Sequence, residues 1–496
     1  MAYLHGTYGE LRDPSVNSAT SKSVVVYVGT APIHKIPGGG KKAAELVNKP
    51  LKITGLTTAR NLLGYSEKAP FTYTLMEAVE AHFKNNIENV GPIYVINVFN
   101  PFEATNQKAT DEKEFPVVKK QASFLLGDMV YDEITIKKEE EALVEGTDFN
   151  KFYDSATDTV TIKVIGSKAP TITKIKVGGK TVSIPEDVKT AIIGEVAEDG
   201  TKTGLKAIEN IYRLYDEITN VIAAPGYSEV PEVYEAMVET ATKLNGHWDA
   251  FVNADIPAKD NAKIADAIAW KQTNGYNYGN SKVYWPLAKR RDGKVFHLST
   301  LATAEMLKQD KDNDGVPFVS VSNKEVDAAD QCGADTFHGF DLDEGNLLNE
   351  EGITTLVKWG GTYRLWGPHT AQYSTTDQEN GTQDPRYQFD TSIRTLFHIT
   401  NAFQKDNFND IDKPMSTALK DQIIQREQAK LDALVCKGAL IGETNKIFFS
   451  EENDDEGIMN GNFIWDIQTT TTVPFKSGTV KVGWTAEGLN ALGGEQ

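Results

Sequence analysis

Four short motifs hold residue types that could do chemistry. Gly38-Gly39-Gly40-Lys41-Lys42 joins glycines to lysine as phosphate loops do. Such a loop needs a glycine five residues ahead of its Gly-Lys pair and a Ser or Thr after it. Those positions hold Lys35 and Lys42, so the segment reads as a flexible turn. Asp310, Asp312, Asp314 and Gly315 fit the opening of a calcium loop, but Val321 stands where the closing bidentate Glu belongs. A solvated acidic turn is the expectation there, with no metal site. His5-Gly6-Thr7 could begin a Ser-His-Asp hydrolase in which the Asp precedes the His. Only four residues precede His5, none is Asp, and no Gly-Thr-Ser-type nucleophile segment follows. Asp255, His297 and Ser320 could be assembled into a triad, as could similar residues of any chain this long. The residues thus point to no catalytic centre and no cofactor.

The elements around these motifs are more informative. Residues 1–22 are small, polar and turn-rich, and read as an extended N-terminal arm. Residues 23–101 read as the first part of an α/β core. Val24 to Val28 and Ile93 to Phe99 are near-continuous apolar runs, as in strands buried on both faces, with helices at Leu56–Leu63 and Tyr73–Phe83 between them. Residues 102–200 carry short alternating β segments, among them Thr159–Val164, Ile172–Val177 and Thr181–Ile184, broken by turns such as Gly178-Gly179. That spacing suits an inserted antiparallel β-sandwich. Residues 201–360 return to strand-loop-helix order. Residues 361–484 hold two long helical patterns, about Asp384–Lys405 and Ser416–Lys437, then strands at Ile447–Phe449, Phe463–Ile467 and Thr479–Trp484. Residues 485–496 form a Gly-rich tail. The fold class expected is a multi-domain α/β protein with an inserted antiparallel sandwich and an α+β C-terminal domain with extended terminal arms.

The chain has 496 residues and a net charge of -19. So acidic a surface repels phosphates and anionic lipid, which argues against nucleic acid and membrane partners. Two cysteines, Cys332 and Cys436, without metal-ligand spacing, suit free thiols in a reducing compartment. Met1 to Leu11 lacks the basic and apolar regions of a secretory signal, and no run reaches membrane-spanning length, so folding in a cytoplasm is expected.

Taken in order along nearly the whole chain, these segments resemble the contractile phage tail sheath family. Leu4-His5-Gly6-Thr7-Tyr8-Gly9-Glu10 resembles its N-terminal arm, and Val28-Gly29-Thr30-Ala31-Pro32 with Asn48-Lys49-Pro50-Leu51-Lys52-Ile53-Thr54 its first conserved stretch. Val144 to Phe149 resembles a segment of its inserted sandwich. Ala223-Ala224-Pro225-Gly226 and Tyr284-Trp285-Pro286 match its central domain. Trp366-Gly367-Pro368-His369-Thr370 stands where the family has a Trp-Gly-x-Arg-Thr-like run, with His369 in place of the Arg. Gly438 to Gly442 and Asn460-Gly461 resemble its C-terminal domain. The resemblance implies a subtilisin-like central domain, no enzyme activity, and hexameric rings of the chain stacked around a tail tube protein. It also implies baseplate and terminator partners, assembly in the host bacterial cytoplasm and residence in the virion. A tailocin or other contractile injection particle fits the same resemblance. Two rivals are a hydrolase on the central domain and an adhesin using residues 102–200.

Two local features gain meaning from it. At about 100° per residue, Phe389, Ile393, Leu396, Thr400 and Phe403 share one face of the 384–405 helix. Arg394, His398 and Lys405 lie on another, near Arg386. An ordinary solvated charged face is the plain reading; the resemblance implies a tube-contact helix held by charge. Val480, Val482 and Trp484 alternate with polar residues or glycine as in a one-faced strand. This strand could form a hairpin with Phe463–Ile467. The resemblance implies instead strand exchange between subunits, through Tyr3, Leu4, Thr7 and Tyr8 at one end and Val480, Val482 and Trp484 at the other.

Overall fold

The computed structural model describes residues 23–335, 339–375 and 384–492. Its centre is an eight-stranded sheet in the spatial order Thr362–Trp366, Ile353–Trp359, Ser281–Tyr284, Phe251–Asp255, Val221–Ala223, Val25–Gly29, Ile93–Asn97, Pro50–Ile53. The inner neighbours run parallel, and each outermost strand is antiparallel to its neighbour. Val25–Gly29, Ile93–Asn97 and Phe251–Asp255 are buried at every position, which is why the first two read as near-continuous apolar runs. Val25 and Tyr27 face a core capped by the helices Thr74–Phe83 and Leu298–Asp312. Val24, Val26 and Val28 face a second core under Pro231–Ala241. Helices on both faces are what a mostly parallel sheet requires.

Between Asn97 and Val221 the chain builds two small antiparallel sheets around their own apolar cluster, which includes Val160, Ile162 and Ile175. The first and last strands of this unit, Gln107–Pro116 and Lys174–Val182, pair with each other, Gln107 opposite Val182. Lys174–Val182 is one strand where two were expected. Its register shifts between Val177 and Gly179, with Asp111 and Glu112 opposite Gly178, so the glycines face a bulge in the partner strand rather than forming a turn. The unit is fixed to the central sheet by a buried ion pair: Lys35 Nζ lies 2.9 Å from Asp158 Oδ1. Asp158 also accepts from Tyr153 Oη at 2.7 Å and from the Gly127 amide.

The C-terminal part holds the helices Asp390–Asn407 and Thr417–Lys437 and a two-stranded sheet, Lys446–Phe449 with Trp465–Gln468. Asp390–Asn407 starts later than the sequence pattern suggests, because Pro385–Tyr387 forms a separate 3-10 turn. Ile393 joins the main core, while Ile399 packs with Leu431 and Ile447, so this helix bridges the two parts.

The acidic turn expected at Asp310–Gly315 is displaced. The Leu298–Asp312 helix runs through its first half, and Asp310 is buried. Asp310 pairs with Arg394, and Asp314 with Lys437.

Candidate functional site

The four basic residues assigned to the tube-contact helix go to four different environments. Arg386 is exposed and bidentate to Asp384, two residues away. Arg394 turns inward: it is 5% exposed and bonded to the Asp310 carboxylate. Its charge is neutralised inside the chain, which removes it from any surface contact and corrects the sequence expectation. Burial holds His398 down at about 4, against the pull of Asp406, so this ring is neutral near pH 7. Lys405 donates to the Asp216 carbonyl at 2.9 Å. Spacing alone placed these side chains on one face; Arg394 and Lys405 find their acidic partners, Asp310 and Asp216, in distant segments.

The Asp255, His297 and Ser320 grouping does not assemble. His297 Nδ1 lies 2.9 Å from Glu77 Oε2, and Nε2 faces Glu229 at 3.7 Å. Burial works against its charge, yet Glu77, Asp255 and Glu229 outweigh it and lift His297 to about 10. Both nitrogens face carboxylates, which leaves neither free to activate a hydroxyl. Ser299 and Ser228 donate to Asp255 instead. Ser320 lines a different cavity, beside His369.

The C-terminal segment departs most from its expectation. Thr479–Trp484 is in no strand and does not pair with Trp465–Gln468, whose partner is Lys446–Phe449. Val480, Val482 and Trp484 are 84%, 89% and 82% exposed. Among the described residues, no backbone hydrogen bond joins 473–484 to another segment; the last anchor is the Thr472 amide on the Ala439 carbonyl. An exposed, apolar, unpaired run is costly in water. The two-stranded sheet nearby has few partners of its own, and unpaired strand edges are templates for another chain. Tyr3, Leu4, Thr7 and Tyr8 lie outside the described residues.

Sequence reasoning missed a buried ionic cluster. Lys282 Nζ contacts Asp390 Oδ2 at 2.7 Å, with side-chain exposures of 0% and 2%. One turn along the helix, Arg394 meets Asp310, and Ser23 Oγ donates to the same Asp310 oxygen at 2.6 Å. Burial lowers Lys282 against the pull of Asp390, and raises Asp310 against that of Arg394. Lys282 within an apolar strand run was the available signal, since a lysine there must find a carboxylate.

No protein-family profile matches the chain. It is 25% identical over 517 residues to the tail sheath protein of Burkholderia phage BcepMu, covering 99% of each. It is 28% identical over 298 residues to the tail sheath protein of Escherichia phage P2, covering 58% of this chain and 69% of that one. In fold it matches the contracted sheath of an extracellular contractile injection system (PVC), with TM-score 0.56, 13% identity and coverage of 98% and 99%. The contracted helical sheath of the anti-feeding prophage matches with TM-score 0.53, 13% identity and coverage of 98% and 100%. Alignable from end to end with a phage tail sheath protein, and folded like the sheath subunits of two injection systems, the chain is a relative of the contractile tail sheath proteins.

Proposed function

We propose that this chain is the structural subunit of a contractile tail sheath, polymerising as stacked hexameric rings around an inner tube and contracting to drive that tube through a host envelope. The observation that carries this reading is the segment 473–484: exposed, apolar at alternate positions and without backbone pairing among the described residues, following in sequence a two-stranded sheet able to accept a further strand. In this reading the C-terminal arm and residues 1–22 complete sheets on neighbouring copies. Many backbone bonds on extended linkers hold subunits together while rigid cores rotate. The central sheet is then the family's subtilisin-like domain, used as a scaffold, and residues 102–200 its inserted sandwich. Arg386 and Lys405 are the charges left as candidates from the tube-contact set, His398 being neutral near pH 7. Single exposed charge pairs are worth only about 0–1 kcal/mol, which keeps such a contact breakable. Baseplate and terminator proteins would bound the stack, assembled in the host cytoplasm and carried in the virion.

The test is polymerisation. The full chain, concentrated and imaged by negative stain, should form tubes. A chain ending at Ser477 should keep its fold by circular dichroism and form none. Tubes of normal length from the truncated chain would overturn strand exchange.

A second reading, the sheath of a tailocin or other non-viral injection system, is favoured by the full-length fold match to injection-system sheaths. Capsid and terminase genes beside this one would decide for a virus.

A further inference from the structure

Ser23 and Lys476, at the roots of the two terminal segments, are both tied to the buried ionic cluster. Ser23 is the base of the first arm, and its hydroxyl shares Asp310 Oδ2 with Arg394. The base of the second arm is clipped by Lys476. Its Nζ lies 3.2 Å from His369 Nε2 and 5.5 Å over the Tyr373 ring. His369 donates from Nδ1 to the Gln388 carbonyl at 2.9 Å. That bond places the ring proton on Nδ1 and leaves Nε2 to accept from the lysine. The same ring stacks on Tyr373 at 3.5 Å and on Phe389 at 5.0 Å. Phe389 is followed directly by Asp390, whose amide bonds to the Pro368 carbonyl. Asp390 holds Lys282, which also donates to the Gly367 carbonyl at 2.7 Å. Asp390 and Arg394 stand one helical turn apart.

We propose that Lys282, Asp390, Arg394 and Asp310 form one junction to which the roots of both arms are fixed, so that a pull on one arm passes to the other through the first turn of the Asp390–Asn407 helix. The inference rests on the sheath reading, which supplies the pull. Its physical basis is that buried charges with single partners have few alternative arrangements, because any displacement leaves a charge unpaired away from water. The junction is therefore stiffer than the exposed C-terminal segment beyond Lys476. Tension between two neighbours would cross the subunit along one short path, touching the central sheet only at Lys282.

The test uses the full-length subunit alone, at dilutions where it stays monomeric, so its outcome does not depend on sheath assembly. Native trypsin cleavage is followed at Lys476, inside the clip, and at Lys481, beyond it. Cleavage at Lys476 should be the slower of the two. Asp310→Asn, which touches only the first root, should raise the Lys476-to-Lys481 ratio by at least about twofold, the smallest coupling typical of residues in one network. A faster-exchanging Ser23 and Val24 with an unchanged ratio would overturn the proposal. Should Asp310→Asn not fold, Lys476→Ala at the exposed clip reads the coupling in reverse. Amide exchange at Ser23 and Val24 should speed up by at least about twofold, and no change there overturns it. Failure of these tests leaves the sheath reading intact. Failure to polymerise would leave the cleavage ratios standing.

Discussion

Lys35 is a lysine almost without water, 1% exposed, and its one acidic partner comes from a separate folding unit. Lys35→Met strands the Asp158 carboxylate in a buried site. Such losses run to about 3–5 kcal/mol, so urea midpoints should fall sharply. Adding Asp158→Asn, which keeps a residue type tolerant of the positive φ of 57° there, should restore most of the loss. His82 gives a pH prediction. It is fully buried, and burial lowers it to about 4 against its bond to the Val90 carbonyl. The unfolded chain takes up this proton near 6.5, while the native chain resists it until about pH 4. The contribution is therefore complete above pH 6.5 and lost as pH falls towards 4, at up to about 1.4 kcal/mol per unit. Denaturation midpoints between pH 7.5 and 4.5 should fall less steeply in His82→Gln. At this scale the sequence was a poor guide. Arg394 looks like any surface cation until Asp310 is brought to it, and Lys282 in its apolar run does not say that Asp390 is its partner. His369 stood out as a departure from the family pattern, but only the ring stack with Tyr373 and Phe389 shows what it holds.

Elements were far more legible. Val25–Gly29 and Ile93–Asn97 announced themselves because both faces are buried, and Thr74–Phe83 and Thr417–Lys437 lie within a residue of their sequence bounds. Two misreadings share a cause, local glycine and acidic punctuation overridden by long-range pairing. Gly178-Gly179 marked a turn by composition, yet Gln107–Pro116 pairs along both sides of it and carries a bulge opposite Gly178. Asp310 marked a loop, yet Arg394 allows a buried carboxylate near the end of a helix. At Gly64 local glycine punctuation holds in the fold. It ends Leu56–Leu63 at φ 71°, where a Cβ would sit 2.2 Å from the Pro32 carbonyl oxygen. Gly64→Ala should cost about 1–3 kcal/mol, seen as a lower melting temperature with unchanged helix content. The Thr479–Trp484 pattern was legible as an apolar alternation, but the same residues cannot say whether the partner strand is their own.

For the whole molecule, the order of segments carried the family assignment where no single motif did. The topology was less accessible, since the neighbours Val25–Gly29 and Val221–Ala223 lie far apart in sequence. So are the residues of the ionic junction. The net charge of -19 makes a prediction at this scale. Copies of an acidic subunit repel, and that repulsion is screened within about 10 Å at 0.1 M salt. Polymerisation followed by light scattering should therefore begin at lower protein concentration as salt rises from 20 to about 200 mM. Onset delayed by salt would mean that attraction between opposite charges dominates the contacts.

Gln107 faces Val182 across a strand pair, so the chain departs from the body and comes back to it through neighbouring positions. Everything between them is a cassette. Provided Lys35 is replaced by an apolar residue at the same time, the native module could be excised and a foreign domain grafted onto the same seam. Each copy in a polymer would then carry its cargo at a fixed angle, turning the particle into a display scaffold of regular pitch.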